Sequence, residues 1–190
     1  QSLILAGKTK EFMSALSTVE LYEAYKGRMQ KIADVKYSSA VLQWDQETYL
    51  PPKGADARGR QLATLSELSH ELFTNNETGD LLKELIQRND LNEEERKNTE
   101  LSLEDFTKQK KYSSDFVRRL TEQINKSFHR WIAARKQNSF SVFEPELDTL
   151  IKLKKQEAEI LGYTGHAYNA LLDEFEKGCT VDLLDNTFNG

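Results

Sequence analysis

Four polar side chains follow a tryptophan at one point of the chain, shortly before a double proline. Trp44 leads directly into Asp45-Gln46-Glu47-Thr48, and Pro51-Pro52 then ends any helix, because proline lacks an amide N–H and disfavours helix in the preceding residue. Polar groups in this position form either a network at a helix end or the lip of a cleft. Arg58, beyond the break, is the candidate ion-pair partner of Asp45. Both interpretations stay open, and the candidate cleft-lining residues are Trp44, Asp45, Gln46, Thr48 and Arg58.

The histidines offer one partial metal motif. His70-Glu71 could begin a His-Glu-x-x-His sequence, in which two histidines on one helix face bind zinc and the glutamate acts as base. Position 74 is threonine, so the second ligand is missing and a helix-surface histidine is the simpler interpretation. His129 is interpreted as a partly buried helix residue and His166 as a helix cap. We therefore predict no catalytic and no metal-binding residue in this sequence.

Composition excludes several classes of function. The net charge of −5 argues against nucleic-acid binding, which needs concentrated Lys and Arg. No apolar run approaches the ~20 residues that span a bilayer, so we predict no membrane partner. The single cysteine, Cys179, cannot form an intramolecular disulfide, which fits a reducing compartment and predicts a cytoplasmic protein.

The small number of helix-breaking residues favours long helices. Only three prolines and nine glycines interrupt the chain, and apolar residues recur at helical spacing with no competing strand pattern. We predict an all-α array of about nine helices, in which the first ends near Tyr37, the second covers Ala40 to about Glu47, and the eighth ends at Gly178. Residues 1–12 do not resemble the start of a natural gene product, and we expect that they were added to it.

Local signals predict further boundaries: Ser17 and Glu20 have the spacing of a capping box at the start of the first helix, 75–79 is a turn, and Asn92 caps the fifth helix. Pro145 suits the first turn of the seventh helix, which Gly162 ends.

One apolar stripe is longer than the others. Its members recur at three- and four-residue spacing and are Phe116, Leu120, Ile124, Phe128, Trp131 and Ile132. A stripe this regular predicts a core seam with Trp131 as its anchor. Phe140 and Phe143, in the loop that follows, are predicted to cover the helix ends.

Four ordered motifs resemble the carboxypeptidase Taq family of metallocarboxypeptidases. The first is Leu42-x-Trp44-Asp45-Gln46-Glu47-Thr48-x-x-Pro51, followed by Gly54 and Arg58. The others are Leu65-x-x-Leu68-x-His70-Glu71, then Trp131-x-x-Ala134-Arg135 leading to Phe140-x-x-Phe143-x-Pro145-x-Leu147, and finally Tyr168-x-Ala170-Leu171-Leu172-Asp173-x-Phe175-x-x-Gly178. Small departures are Ser139 and Asn169, where acidic residues are common, and Lys177, where proline is usual. The resemblance covers nearly everything from Met13 onward.

The resemblance implies a zincin-like, almost all-helical fold with a deep cleft, in an enzyme that removes residues one at a time from peptide C-termini. In that family, zinc or another divalent metal is bound by His-Glu-x-x-His and a downstream glutamate, and the motif glutamate is the general base. None of those residues is present here. By resemblance, residues 13–190 are the N-terminal helical region, which supplies one cleft wall and lid, while the catalytic half is the missing partner. The 190-residue chain alone is predicted to be inactive.

Two hypotheses of different classes follow. In the first, the chain is a piece of a metallocarboxypeptidase. In the second, it is a free-standing helical interaction module that descends from such an enzyme. The chain stops inside a helical pattern near Asn189-Gly190, which favours the first. Apolar surface left by the missing half should promote self-association, so a homodimer is also expected.

Overall fold

The computed structural model describes residues 13–189, and every regular element within that range is helical. The α-helices are α1 Thr18–Thr48, α2 Ala55–Thr74, α3 Asn76–Ile86, α4 Glu93–Gln109, α5 Ser114–Gln137, α6 Glu144–Leu161, α7 Asn169–Leu172 and α8 Val181–Phe188. Short 3-10 turns at Pro52–Gly54 and Phe140–Val142 precede α2 and α6. The predicted all-α class is confirmed. Residues 1–12, which we expect to be an addition, lie outside the described residues. Among the described helices, none is long and apolar enough to cross a membrane.

Contacts divide the chain into two compact units, Gln1–Arg118 and Arg119–Gly190. Within the described part of the first unit, α1 packs against α2 and α3, and α3 packs against α4. One buried cluster joins α1, α3 and α4, and its members are Leu21, Tyr25, Leu81, Leu82, Leu85, Leu91 and Phe106. Gly79 permits the close approach of α3 to α4, because a Cβ atom there would lie 2.5 Å from Phe106 Cζ.

The first helix is longer than predicted. α1 runs unbroken through Ser38, so the predicted boundary between a helix ending near Tyr37 and another beginning at Ala40 is wrong. The Ser38 hydroxyl donates to the Asp34 carbonyl at 2.8 Å, which lets a polar residue remain inside the helix. The C-terminal residues of α1 are therefore held on one rigid rod that begins in the buried cluster.

Side-chain caps fix several helix starts. The capping box predicted for Ser17 and Glu20 is confirmed, since each side chain accepts the other's backbone N–H. Asn92 caps α4 as predicted. Asn75, which we predicted to begin a turn over 75–79, instead accepts the Thr78 amide and starts α3 directly.

The second unit centres on α6, which packs against the 3-10 turn before it and against α7. Pro145 lies in the first turn of α6, and Gly162 ends that helix with a φ of 76°, both as predicted. The predicted eighth helix is much shorter than expected, because α7, at Asn169–Leu172, is the only helix between Gly162 and Gly178.

The predicted core seam on α5 is wrong in its second half. Phe116 is 1% exposed, but Trp131 is 46% exposed and is no core anchor within the described residues. Phe140, predicted to cover a helix end, is also exposed. Helical periodicity identifies a face that can be buried, but it does not name the partner that buries it.

Candidate functional site at the end of α1

The polar cluster occupies the last turn of α1 and the break that follows it. The amides of Tyr49 and Leu50 both donate to the Asp45 carbonyl, at 2.9 and 3.0 Å, and so close the helix. Pro51 is extended, with φ −61° and ψ 143°, and Pro52 begins the 3-10 turn that leads into α2. The chain therefore reverses within a few residues and brings α2 back alongside α1.

Arg58 joins the two helices across this break. Its Nη1 atom lies 2.7 Å from Asp45 Oδ2 and donates to the Leu42 carbonyl at 2.6 Å, while its Nε atom donates to Gln61 Oε1 at 3.1 Å. The Arg58 side chain is mostly buried and that of Asp45 is about two-thirds buried. The Asp45–Arg58 ion pair predicted from the sequence is confirmed, and charge-assisted bonds of this kind are among the stronger ones in proteins.

The remaining polar residues of the cluster have different surroundings. Gln46 is buried on the inner face of α1. Thr48 is exposed, and its hydroxyl donates to the Trp44 carbonyl at 2.8 Å. Gln43 Nε2 donates to Glu47 Oε1 at 3.1 Å on the helix surface. The cluster is thus anchored on its inner side by Arg58 and Gln46, and presents Trp44 and Thr48 on its outer side.

An exposed aromatic ridge lies on this outer side, made of Tyr37, Val41, Trp44 and Tyr49. Trp44 is 58% exposed and Tyr49 is 73% exposed, and their rings meet edge to face with centroids 5.6 Å apart. Sequence reasoning identified Trp44 and missed the other three. The spacing of four and three residues from Tyr37 to Trp44 was the available signal, because it places them on a helix face away from the buried Ile32 and Gln46.

The histidines are dispersed. His70, predicted to lie on the surface, is buried on α2, with Nε2 3.0 Å from the Gln109 carbonyl at the end of α4. His129 is half-buried on α5 beside Phe128, as predicted. His166 Nδ1 accepts the Tyr168 amide at 3.1 Å within the turn before α7, but the N-cap residue of α7 is Tyr168, so the predicted cap role of His166 is wrong. Across residues 13–189, no three His, Cys, Asp or Glu side chains lie together as a metal site would require, so the donor set does not fit a catalytic zinc.

Comparison with known proteins gives consistent matches. The family model described as carboxypeptidase Taq (M32) metallopeptidase matches residues 24–190. The chain is 32% identical over 165 residues to Carboxypeptidase 1 of Bacillus subtilis, and 33% identical over 161 residues to Thermostable carboxypeptidase 1 of Pyrococcus furiosus. These alignments cover 84% and 85% of this chain and 32% of each relative.

Solved structures agree with the sequence matches. The BsuCP crystal structure superposes with a TM-score of 0.87 at 29% identity, and the structure of CHT with a TM-score of 0.72 at 54% identity. Each superposition covers 90% of this chain and 34% of the other. The chain therefore spans about a third of the length of the relatives that it matches.

Proposed function

The chain belongs to the carboxypeptidase Taq (M32) family of metallopeptidases, and we propose that it is the N-terminal helical region of an enzyme that removes C-terminal residues from peptides. The observation that carries this proposal is the family match over residues 24–190, joined to a superposition over 90% of the chain. In this proposal the region forms one wall and lid of the peptide cleft. Catalysis belongs to the part of such an enzyme that lies outside this chain.

The end of α1 is the best candidate for the part of the wall that touches peptide. Exposed aromatic rings on a rigid frame bind ligands at low entropic cost, because little freedom is lost when the ligand arrives. Trp44 and Tyr49 are such rings, and the two bonds from Arg58 to Asp45 and to the Leu42 carbonyl hold the turn that carries them. The ridge offers apolar and edge-on aromatic contacts to side chains of a peptide.

The candidate residues then divide into two roles. Trp44 and Thr48 are exposed and could contact peptide directly. Asp45 and Arg58 are more buried and position the turn through their ion pair, and Gln46 is buried beside them on α1. None of the five transfers a proton in this proposal, because the general base of the family belongs to a motif that this sequence lacks.

The metal would come with the missing part of the enzyme. The family is described as one of metallopeptidases, and zinc or another divalent cation would polarise the scissile carbonyl and activate water there. Its ligands would lie outside this chain. We also propose that the enzyme is cytoplasmic, in keeping with the single cysteine of this chain, and that it forms a homodimer.

The alternative is a free-standing helical module that binds a partner through the same exposed ridge and never meets a catalytic half. One experiment separates the two functions. The chain is joined to the remaining two thirds of the Bacillus subtilis relative, and release of amino acids from peptide C-termini is followed by mass spectrometry. The enzyme proposal expects C-terminal trimming by the joined polypeptide and none by the isolated chain. A well-folded joined polypeptide without trimming, or an isolated chain that trims peptides, contradicts it.

A further inference from the structure

Part of the apolar face of α5 is exposed in the second unit. Three apolar residues of this helix are exposed in the second unit, with Ile124 at 47%, Trp131 at 46% and Ile132 at 43%. Phe128 is half-buried between them. The four residues follow a spacing of four, three and one and therefore share one helix face, which we name the α5 stripe. Arg135 lies one turn further on and places its guanidinium over the Trp131 ring, 5.8 Å from the centroid.

The side of α5 that meets α6 is polar by contrast. Gln123 Nε2 donates to Glu146 Oε2 at 3.0 Å and to Ser127 Oγ at 3.2 Å, and Lys126 Nζ lies 3.1 Å from Glu146 Oε1. Ser127, which accepts from Gln123 in this network, is buried. The side of α5 towards α6 therefore carries polar contacts, while a regular apolar stripe of the same helix is exposed, and an exposed apolar stripe of this kind marks an interaction site.

We propose that the α5 stripe is a core seam of the complete enzyme and packs against the part of the M32 fold that lies outside this chain. The inference rests on the proposed function. The length of the relatives supports this occupant, because BsuCP and CHT are each matched over 34% of their chains and about two thirds of each lies outside the matched region. A buried partner also explains why the sequence carries a seam of six apolar residues, Phe116 to Ile132, of which only the first is fully buried in the described structure.

The test measures access to the stripe without using activity. A cysteine is introduced by Trp131→Cys in a Cys179→Ala background, and the rate of thiol labelling is compared between the isolated chain and the same chain joined to the remaining two thirds of the Bacillus subtilis relative. The matched control is Gln137→Cys, an exposed position on the same helix but on roughly the opposite face. A second measurement follows the thermal midpoint of the isolated chain with Trp131→Glu.

Labelling at position 131 is expected to be fast in the isolated chain and slowed at least about tenfold in the joined polypeptide, while the control position stays fast in both. The Trp131→Glu midpoint should equal that of the parent within error. Equal rates at position 131 overturn the proposal, since the seam is then exposed in the longer protein. Slow labelling already in the isolated chain also overturns the proposal. If the slow rate persists on dilution, the stripe is buried in the chain's own core, and if dilution raises the rate, a second copy covers the stripe. A joined polypeptide that is inactive but protected contradicts the proposed function and leaves this inference standing.

Discussion

Arg58 Nη1 lies 2.7 Å from Asp45 Oδ2 and thereby ties the start of α2 to the last turns of α1 across the Pro51-Pro52 break. The same nitrogen also donates to the Leu42 carbonyl. An acidic side chain near a helix C-terminus is disfavoured by the helix dipole, and a guanidinium beside it offsets that cost. The pair is therefore a structural element first, and it positions the exposed Trp44 ring as a consequence.

Replacing Arg58 tests how much its ion pair with Asp45 contributes to the free energy of unfolding. Arg58→Met should lower the free energy of unfolding by about 1–3 kcal/mol, because it leaves a partly buried carboxylate and a carbonyl without their donor. The matched control is Arg28→Met, which breaks a pair of similar length, 2.8 Å to Glu77 Oε2, at a more exposed site. That change should cost no more than about 1 kcal/mol. Urea unfolding measures both, and equal losses would contradict a special role for Arg58.

Close packing of α3 on α4 gives a sharper stability test. Gly79→Ala would place a Cβ atom 2.5 Å from Phe106 Cζ, in the buried cluster. We expect a loss of about 1–3 kcal/mol from overpacking. Gly27→Ala is the control, since the residue is inside α1 and nothing lies within 4 Å of the point that its Cβ atom would occupy. That change should stabilise by roughly 0.5–1 kcal/mol. A Gly79→Ala chain as stable as its parent would show that Phe106 can move aside.

Helix caps were predicted better from the sequence than helix lengths and contacts between distant helices. The Ser17–Glu20 box depends on residues three apart and was predicted correctly. The Asp45–Arg58 pair was predicted because the two opposite charges lie close in sequence on either side of the proline break. The burial of His70 was missed, since its partner is the Gln109 carbonyl on another helix, 39 residues away. Periodicity alone could not reveal this contact.

The two ends of the predicted α5 seam should respond differently to truncation. Phe116→Ala removes a side chain that is 1% exposed and should cost about 3–5 kcal/mol. Trp131→Ala, at the residue that the sequence predicted to anchor the seam, should lower the stability of the isolated chain by less than about 1 kcal/mol, because the ring is half exposed. Chemical unfolding followed by circular dichroism compares the two. A large loss of unfolding free energy from Trp131→Ala would show that Trp131 belongs to the core of this chain.

Acid should weaken the second unit through Glu146. The Gln123 amide, which donates to this carboxylate, holds its pKa below the ordinary value of 4.5, and the charges of Lys126 and Arg130 act in the same direction. A carboxyl group with a depressed folded-state pKa stabilises the fold above its unfolded pKa, and the contribution is lost as the pH falls through the folded value. The urea midpoint should therefore drop below about pH 4.5, and Glu146→Gln should flatten that drop.

The matched control for this titration is Asp148→Asn on the same helix. Asp148 Oδ2 pairs with Lys152 Nζ at 2.6 Å in a highly exposed position. Exposed pairs of this kind contribute little, so the control should keep the parent's acid dependence. Midpoints from about pH 7 down to about pH 3 suffice for the comparison. Identical curves for Glu146→Gln and the parent would exclude Glu146 as a source of the acid sensitivity.

Steady-state kinetics should distinguish the role of the aromatic ridge from that of the Asp45–Arg58 ion pair. In the chain joined to the rest of the Bacillus subtilis relative, Trp44→Ala removes an exposed ring and should raise KM for peptides by about tenfold while the thermal midpoint stays within error. Asp45→Asn keeps the shape of its side chain and removes the charge that faces Arg58. It should lower the midpoint and leave turnover per folded molecule nearly unchanged. If Trp44→Ala leaves KM unchanged, the ridge does not contact the peptide. If Asp45→Asn changes kcat without a loss of stability, the carboxylate itself acts in the cleft.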